Sequence, residues 1–255
     1  MDALVVVGII LIAIGILAVL FRKRTPELDT NICLKEESVA YPTTVAPAPP
    51  KAVDLATLLP QQFVILDLET TGLNSANDEI IEFGAIRVTL NSENQVTFRT
   101  LVKPQRKVPR KITEITGITQ EMVENEGIPL GDALSQFIEF IGDLPLVTYN
   151  AEFDMGFLYS AATKHGVVIN NRYTCALKRA RRAWPGLPSY RLAGLAKMGK
   201  LSDEDTHRAF GDCMRALFVF TAATSTLGQK VRWSNPPAQI GTRQKSNATL
   251  EISEE

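Results

Sequence analysis

Three short segments concentrate the residues able to do chemistry. They are Asp67-Leu68-Glu69-Thr70-Thr71-Gly72, Asn150-Ala151-Glu152-Phe153-Asp154 and His207-Arg208-Ala209-Phe210-Gly211-Asp212. Between them Asp67, Glu69, Asp154 and Asp212 offer four carboxylates, and His207 offers one imidazole. Hard oxygen ligands of this kind suit Mg²⁺ or Mn²⁺. Two such ions about 4 Å apart can clamp the attacking and leaving oxygens of a phosphodiester. Four clustered acids repel one another, so cations should bind them. An imidazole with an unperturbed pKa of about 6.5 is tuned to take a proton from water near neutral pH. The expected chemistry is metal-dependent phosphodiester hydrolysis.

The elements that must hold these groups can be read coarsely. Phe63–Leu68 is a short apolar, β-rich run, expected as a buried strand. Residues two apart on a strand share a face, so Asp67 and Glu69 present both carboxylates together where the strand gives way to a glycine-containing turn. A carboxylate at the end of a buried strand is costly unless paired, solvated or metal-bound. Glu79–Leu90 and Val96–Val102 read as two more strands, with polar Gly72–Asp78 as the first hairpin connection, and together they suggest an antiparallel meander. The second half reads as a helix over Leu130–Ile141, a strand over Leu144–Thr148 and a helix over Glu152–Lys164 ended by Gly166. Helices over Cys175–Ala183, Tyr190–Met198 and Arg208–Leu227 complete an α/β layered domain. Asn150 is an N-cap candidate that puts Asp154 one turn into its helix. His207 and Asp212 are about 140° apart on one continuous helix. They can share a site only if His207 sits on the loop or first turn, where Asp203, Asp205 and Thr206 offer capping groups.

The ends of the 255-residue chain do not read as globular. Leu4–Phe21 is an 18-residue apolar run followed at once by Arg22-Lys23-Arg24. That length reaches the lower end of a bilayer-spanning helix, and the basic flank follows the run, whereas a cleaved signal carries it in front. Residues 1–24 are therefore expected to form a single-pass anchor in the inner or cytoplasmic membrane. Its N-terminus lies outside and the rest is cytoplasmic, since flanking Lys and Arg stay inside. Residues 25–57 read as a Pro/Ala-rich linker, 58–228 as the folded domain and 229–255 as a disordered tail. The net charge of −1 gives no global pull on nucleic acid, so any such pull is local. Three widely separated cysteines show no zinc spacing and fit a reducing compartment.

Two basic stretches are candidates for that local pull: Lys103, Arg106, Lys107, Arg110 and Lys111, and then Lys178, Arg179, Arg181 and Arg182 before Trp184. They can neutralise phosphates, meet anionic lipid headgroups or form a solvated face.

The motifs together resemble the DEDDh 3′–5′ exonucleases, typified by the proofreading epsilon subunit of bacterial DNA polymerase. Asp67 and Glu69 match the first motif of that family, Asp154 the second, and His207 with Asp212 the third. Ile115-Thr116-Gly117-Ile118-Thr119 and Gly186-Leu187-Pro188-Ser189-Tyr190-Arg191-Leu192 match the connecting text, so the resemblance covers about Gln62–Leu227. It implies an RNase H-like α/β fold with a mixed sheet flanked by helices, here preceded by one transmembrane helix. It also implies two divalent ions, Mg²⁺ or Mn²⁺, and release of nucleoside 5′-monophosphates from a 3′ end. Asp67 would bridge both metals, Glu69 and Asp212 would help hold one, Asp154 would support the other, and His207 would be the base. Thr70, Thr71 and Phe153 fall where the family touches the terminal nucleotide. Tyr149 and Tyr173 stand where the family often has histidine and aspartate, and neither is a ligand position. The expected partners are single-stranded DNA or RNA 3′ ends, with DNA favoured, and the bilayer. Two alternatives stay open: an exoribonuclease or oligoribonuclease, and a catalytically silent nucleic-acid-binding module at the membrane.

Overall fold

The computed structural model describes residues 53–199 and 208–237. The expected anchor, most of the linker, His207 and the last part of the tail lie outside them. Among the described residues no helix is long and apolar enough to cross a membrane.

Strands β1 (Gln62–Thr70), β2 (Ile80–Thr89) and β3 (Val96–Leu101) form the expected antiparallel meander. Strands β4 (Leu146–Thr148) and β5 (Tyr173–Cys175) extend the sheet parallel to β1, in the order β3-β2-β1-β4-β5. The helices are α1 (Arg110–Thr116), α2 (Gln120–Asn125), α3 (Leu130–Ile141), α4 (Ala151–His165), α5 (Ala176–Ala183), α6 (Leu192–Met198) and α7 (Ala209–Leu227).

Alternation along β1 divides the core. Phe63 and Ile65 point to one face and pack with Val147 and with Cys213, Leu217 and Phe220 of α7. Val64, Leu66 and Leu68 point to the other and pack with Phe137 of α3 and Met155 and Leu158 of α4. Fully buried Phe63 meets Phe220 edge-on at 5.9 Å, and burying a side chain of that class is worth about 1.5–3 kcal/mol. The same alternation carries Asp67 and Glu69 onto the α7 face. Opposite Asp67 in the register is Gly84. A Cβ there would lie 2.5 Å from the Ala209 carbonyl carbon, so glycine lets the first turn of α7 lie directly on the sheet.

Several boundaries differ from the sequence reading. Cys175 ends a strand and does not begin a helix, and α6 starts at Leu192 rather than Tyr190. Helices α1 and α2 were not expected. Asn150 occupies the N-cap of α4, but its side chain makes no capping bond. Gly166 closes α4 in the left-handed region, φ 67°, as expected. The packed unit also reaches past 58–228 at both ends. Leu55 belongs to the α7-side core. In the expected tail, Val231 is buried and donates its amide to the Leu58 carbonyl at 3.2 Å, and Ser234 pairs with Tyr173. This pairing ties the start of the tail to the β5 edge.

Candidate active site

The acids meet because three elements end at one place. Glu69 is the last regular residue of β1, and the β1–β2 register shifts between Glu69 and Thr70. Such a shift turns the strand end outward. Asp212 lies in the first turn of α7, whose N-cap is Arg208. Carboxylate oxygens of Asp67, Glu69 and Asp212 all lie within 4.8 Å of one another. Asp154, in the first turn of α4, is buried and comes from the opposite layer. The Thr148 hydroxyl donates to its carboxylate, as do the backbone amides of Leu68 and of Asp154 itself.

The electrostatics follow. Burial, and then the charges of Asp154, Asp212, Glu69 and Glu82, hold Asp67 well above the usual carboxylate range. Burial and then Asp212, Glu82 and Asp154 push Glu69 to about 9. Burial lifts Asp154 to about 7 against its hydrogen bonds. Oxygen donors this close, with Asp67 and Glu69 resisting ionisation through burial and then through their acidic neighbours, form a donor set that divalent cations fit. Asp67, Glu69 and Asp212 make up the group close enough to share an ion, with Asp154 beside them.

Thr70 and Thr71 are buried, and their hydroxyls serve the turn. Thr70 donates to the Gly72 carbonyl at 2.5 Å, and Thr71 accepts the Glu79 amide at 2.9 Å. Phe153 is half-buried and packs on Phe157 with ring centroids 5.0 Å apart. His207 is outside the described residues.

Glu82 was missed in the sequence. It is buried in β2, accepts two guanidinium bonds from Arg208 at 2.7 and 3.1 Å, and accepts the Ala209 amide at 3.0 Å. Arg215 was missed as well, and it reaches Asp212 at 3.1 Å. The signal for Glu82 was an acid inside the apolar run Ile80-Ile81-Glu82-Phe83, which needs a partner to be buried.

The second basic stretch divides by role. Arg179 is buried and bonds the Thr224 hydroxyl at 2.7 Å and the Gln229 carbonyl, while Arg181 lies over the Tyr190 ring at 5.7 Å. In the first stretch, Arg110 is paired with Glu114 at 2.9 Å.

The family model described as Exonuclease (RNase_T) matches residues 64–220. The chain is 33% identical over 164 residues to the DNA polymerase III subunit epsilon of Aquifex aeolicus, covering 64% of this chain and 80% of that protein. It is 38% identical over 151 residues to the PolC-type DNA polymerase III of Clostridium perfringens, covering 59% of this chain. It spans only 10% of that much longer relative. Among solved structures, Exonuclease X in complex with 5′ overhanging duplex DNA superposes with a TM-score of 0.54 at 27% identity, covering 66% of this chain and 94% of that one. E. coli Exonuclease I in complex with a dT13 oligonucleotide superposes at 0.57 and 22% identity, covering 64% and 41%, and shares the fold.

Proposed function

Because this chain belongs to the exonuclease family, whose DEDD-type members are 3′–5′ exonucleases, we propose that it removes nucleotides from single-stranded DNA 3′ ends and is held at a membrane by residues 1–24. The observation that carries the catalytic reading is the convergence of Asp67, Glu69 and Asp212 within 4.8 Å, with Asp154 beside them. Divalent cations bound there, with Mg²⁺ or Mn²⁺ the proposed ions, supply charge neutralisation at the phosphodiester and acidify water. The chain's own work is positional. Asp67 and Glu69 are fixed by the β1 ladder, Asp154 by Thr148 and the Leu68 amide, and Asp212 by a helix whose N-cap is bonded to Glu82. His207, next to Arg208 in the chain, is the proposed acceptor of the water proton, its ordinary pKa of about 6.5 matching that task. Phe153 offers a half-exposed aromatic face for a terminal base.

The DNA preference rests on the relatives, since the fold is shared with exonucleases solved with DNA. The tether rests on the Leu4–Phe21 run and its basic flank.

The test offers the full-length chain matched 5′-labelled single-stranded DNA and RNA with Mg²⁺, Mn²⁺ or EDTA, beside Asp67→Ala. A metal-dependent ladder shortening from the 3′ end of DNA, absent in the variant, is expected. A ladder on RNA alone would replace the DNA reading with an exoribonuclease. Binding without cleavage would leave a nucleic-acid-binding module.

A further inference from the structure

A polar cavity of about 540 Å³ opens beside the β5 edge and is lined by Cys175, Lys178, Arg179, Arg182, Arg232 and, from the first turn of α4, Glu152. Its cations come from α5 and from the segment after α7, two regions brought together by the Tyr173–Ser234 pairing. Among the described residues, Lys178, Arg182 and Arg232 have no carboxylate within salt-bridge distance. Arg182 bonds a neutral amide, Gln229, at 3.1 Å. Arg179 is buried at its floor, so among the described residues this corner sets Lys178, Arg179, Arg182 and Arg232 against the single carboxylate of Glu152.

The cavity's place in the fold says which anion it suits. Strands β1, β4 and β5 are parallel, so Cys175 at the end of β5 and Glu69 at the end of β1 lie at the same end of the sheet. Cys175 is level with Thr148 and so with Leu66 in the register, which puts Glu69 two strand spacings across and three residues further along, roughly 14 Å away. Ligands of such sheets lie outside the carboxyl ends of parallel strands. Glu152 lines the cavity while Asp154, two residues on, faces the acids, so the first turn of α4 separates the two places.

We propose that this cavity binds backbone phosphate of the substrate strand upstream of the scissile bond. The inference rests on the exonuclease reading above and extends it from the reacting phosphate to the strand behind it. Lys178, Arg182 and Arg232 act as phosphate cations, and the acids and His207 act on the bond that breaks. A strand that reaches both places gains affinity that a mononucleotide ester does not.

The test compares the full-length chain with the triple variant Lys178→Gln, Arg182→Gln, Arg232→Gln. All three side chains are exposed, so the fold is not at risk. Three readouts are taken: anisotropy of a labelled single-stranded DNA oligonucleotide in EDTA, steady-state cleavage of the same oligonucleotide with Mg²⁺, and hydrolysis of the p-nitrophenyl ester of thymidine 5′-monophosphate. The expected result is oligonucleotide Kd and KM raised about tenfold or more, with kcat and ester hydrolysis within about twofold. The salt slope of oligonucleotide binding should become shallower by about 0.7 for each phosphate that is no longer neutralised. Unchanged oligonucleotide binding overturns the proposal. So does an equal loss on the ester, which would make the cations supports of the acid site. Unchanged oligonucleotide binding together with a lost preference for anionic over neutral vesicles would reassign the patch to lipid headgroups. If the parent chain binds the oligonucleotide but cleaves neither substrate, the exonuclease reading falls while the anisotropy comparison still decides the phosphate site.

Discussion

Glu82 and Glu69 stand opposite each other in the β1–β2 register, and the protein uses them differently. Glu69 joins Asp67 and Asp212 in the acid group. Glu82 turns its carboxylate to Arg208 and to the Ala209 amide, fixing the start of the helix that delivers Asp212. Removing Arg208 would strand a side chain that is 2% exposed, with Arg99 at 3.6 Å as a distant substitute. Arg208→Ala should therefore cost about 3–5 kcal/mol in urea unfolding. Glu82→Gln should cost less, because an amide oxygen can still accept from Ala209 and Arg208 can turn to water. Equal losses would show that the pair does not anchor α7.

The crowding of acids predicts an inverted pH dependence for the metal-free chain. Folding raises the proton affinity of Asp67, Glu69 and Asp154. The folded state therefore keeps protons that the unfolded state has released, and unfolding free energy falls as pH rises. Stability is fully present below the ordinary carboxylate range. It drains through about 7 for Asp154 and about 9 for Glu69. In EDTA, urea midpoints should decline from about pH 5 to about pH 9, and Mg²⁺ should flatten the decline by binding the ionised form. Asp67→Asn should flatten it without Mg²⁺ and abolish hydrolysis. A wild-type midpoint in EDTA that rises over this range would refute the electrostatic account.

Gly84 tests how closely α7 must approach the sheet. A methyl group there would stand 2.5 Å from the Ala209 carbonyl carbon and 2.7 Å from the Phe210 amide. Both are backbone atoms that cannot rotate away. Gly84→Ala should destabilise by about 1–3 kcal/mol and weaken Mg²⁺ binding, because Asp212 would move away from Asp67. Calorimetric metal titration of the folded variant checks the second point, and unchanged affinity would show that the acid group tolerates a displaced helix.

What could be read in the sequence follows the range of the forces involved. Helix α3 is legible at Leu130–Ile141 because its apolar positions recur at helical spacing, and Gly166 ends α4 because only a local backbone preference is needed. The acids stand out because ligand chemistry restricts residue type and β1 alternation fixes their common face. Strand β5 is three residues long, too short to show a period, and exists by pairing with β4 and Ser234. Helices α1 and α2 lie in and just beyond a basic stretch whose charges mask a small apolar face made by Ile112, Met122 and Val123. The partner of Glu82 is 126 positions away, which no local pattern reports.

His207→Ala should reduce kcat by about 10²–10⁴-fold if the imidazole accepts the water proton, with little change in KM. The loss should shrink at high pH, where solvent hydroxide can replace the base. A pH–rate profile of wild type and variant separates this from a structural role: wild type should show an acidic limb near the imidazole pKa, and the variant should lack it. The same limb in both would assign the proton to another group.

Residues after Gly228 were expected to form a disordered tail, yet Gln229, Val231 and Ser234 are bonded into the fold. Truncation after Gly228 would remove the Gln229 carbonyl from Arg179, the Val231 amide from Leu58 and both Tyr173–Ser234 bonds. It would also uncover the core surface that Val231 occupies. A net contribution of about 1 kcal/mol for each of the neutral hydrogen bonds, with roughly 1.5 kcal/mol or more for the valine, predicts a loss of about 4–6 kcal/mol. Truncation after Pro237 keeps all of these interactions and should leave the urea midpoint unchanged. If the two truncations behave alike, the segment does not brace β5, and the arginine-lined corner beside it is held by α5 alone.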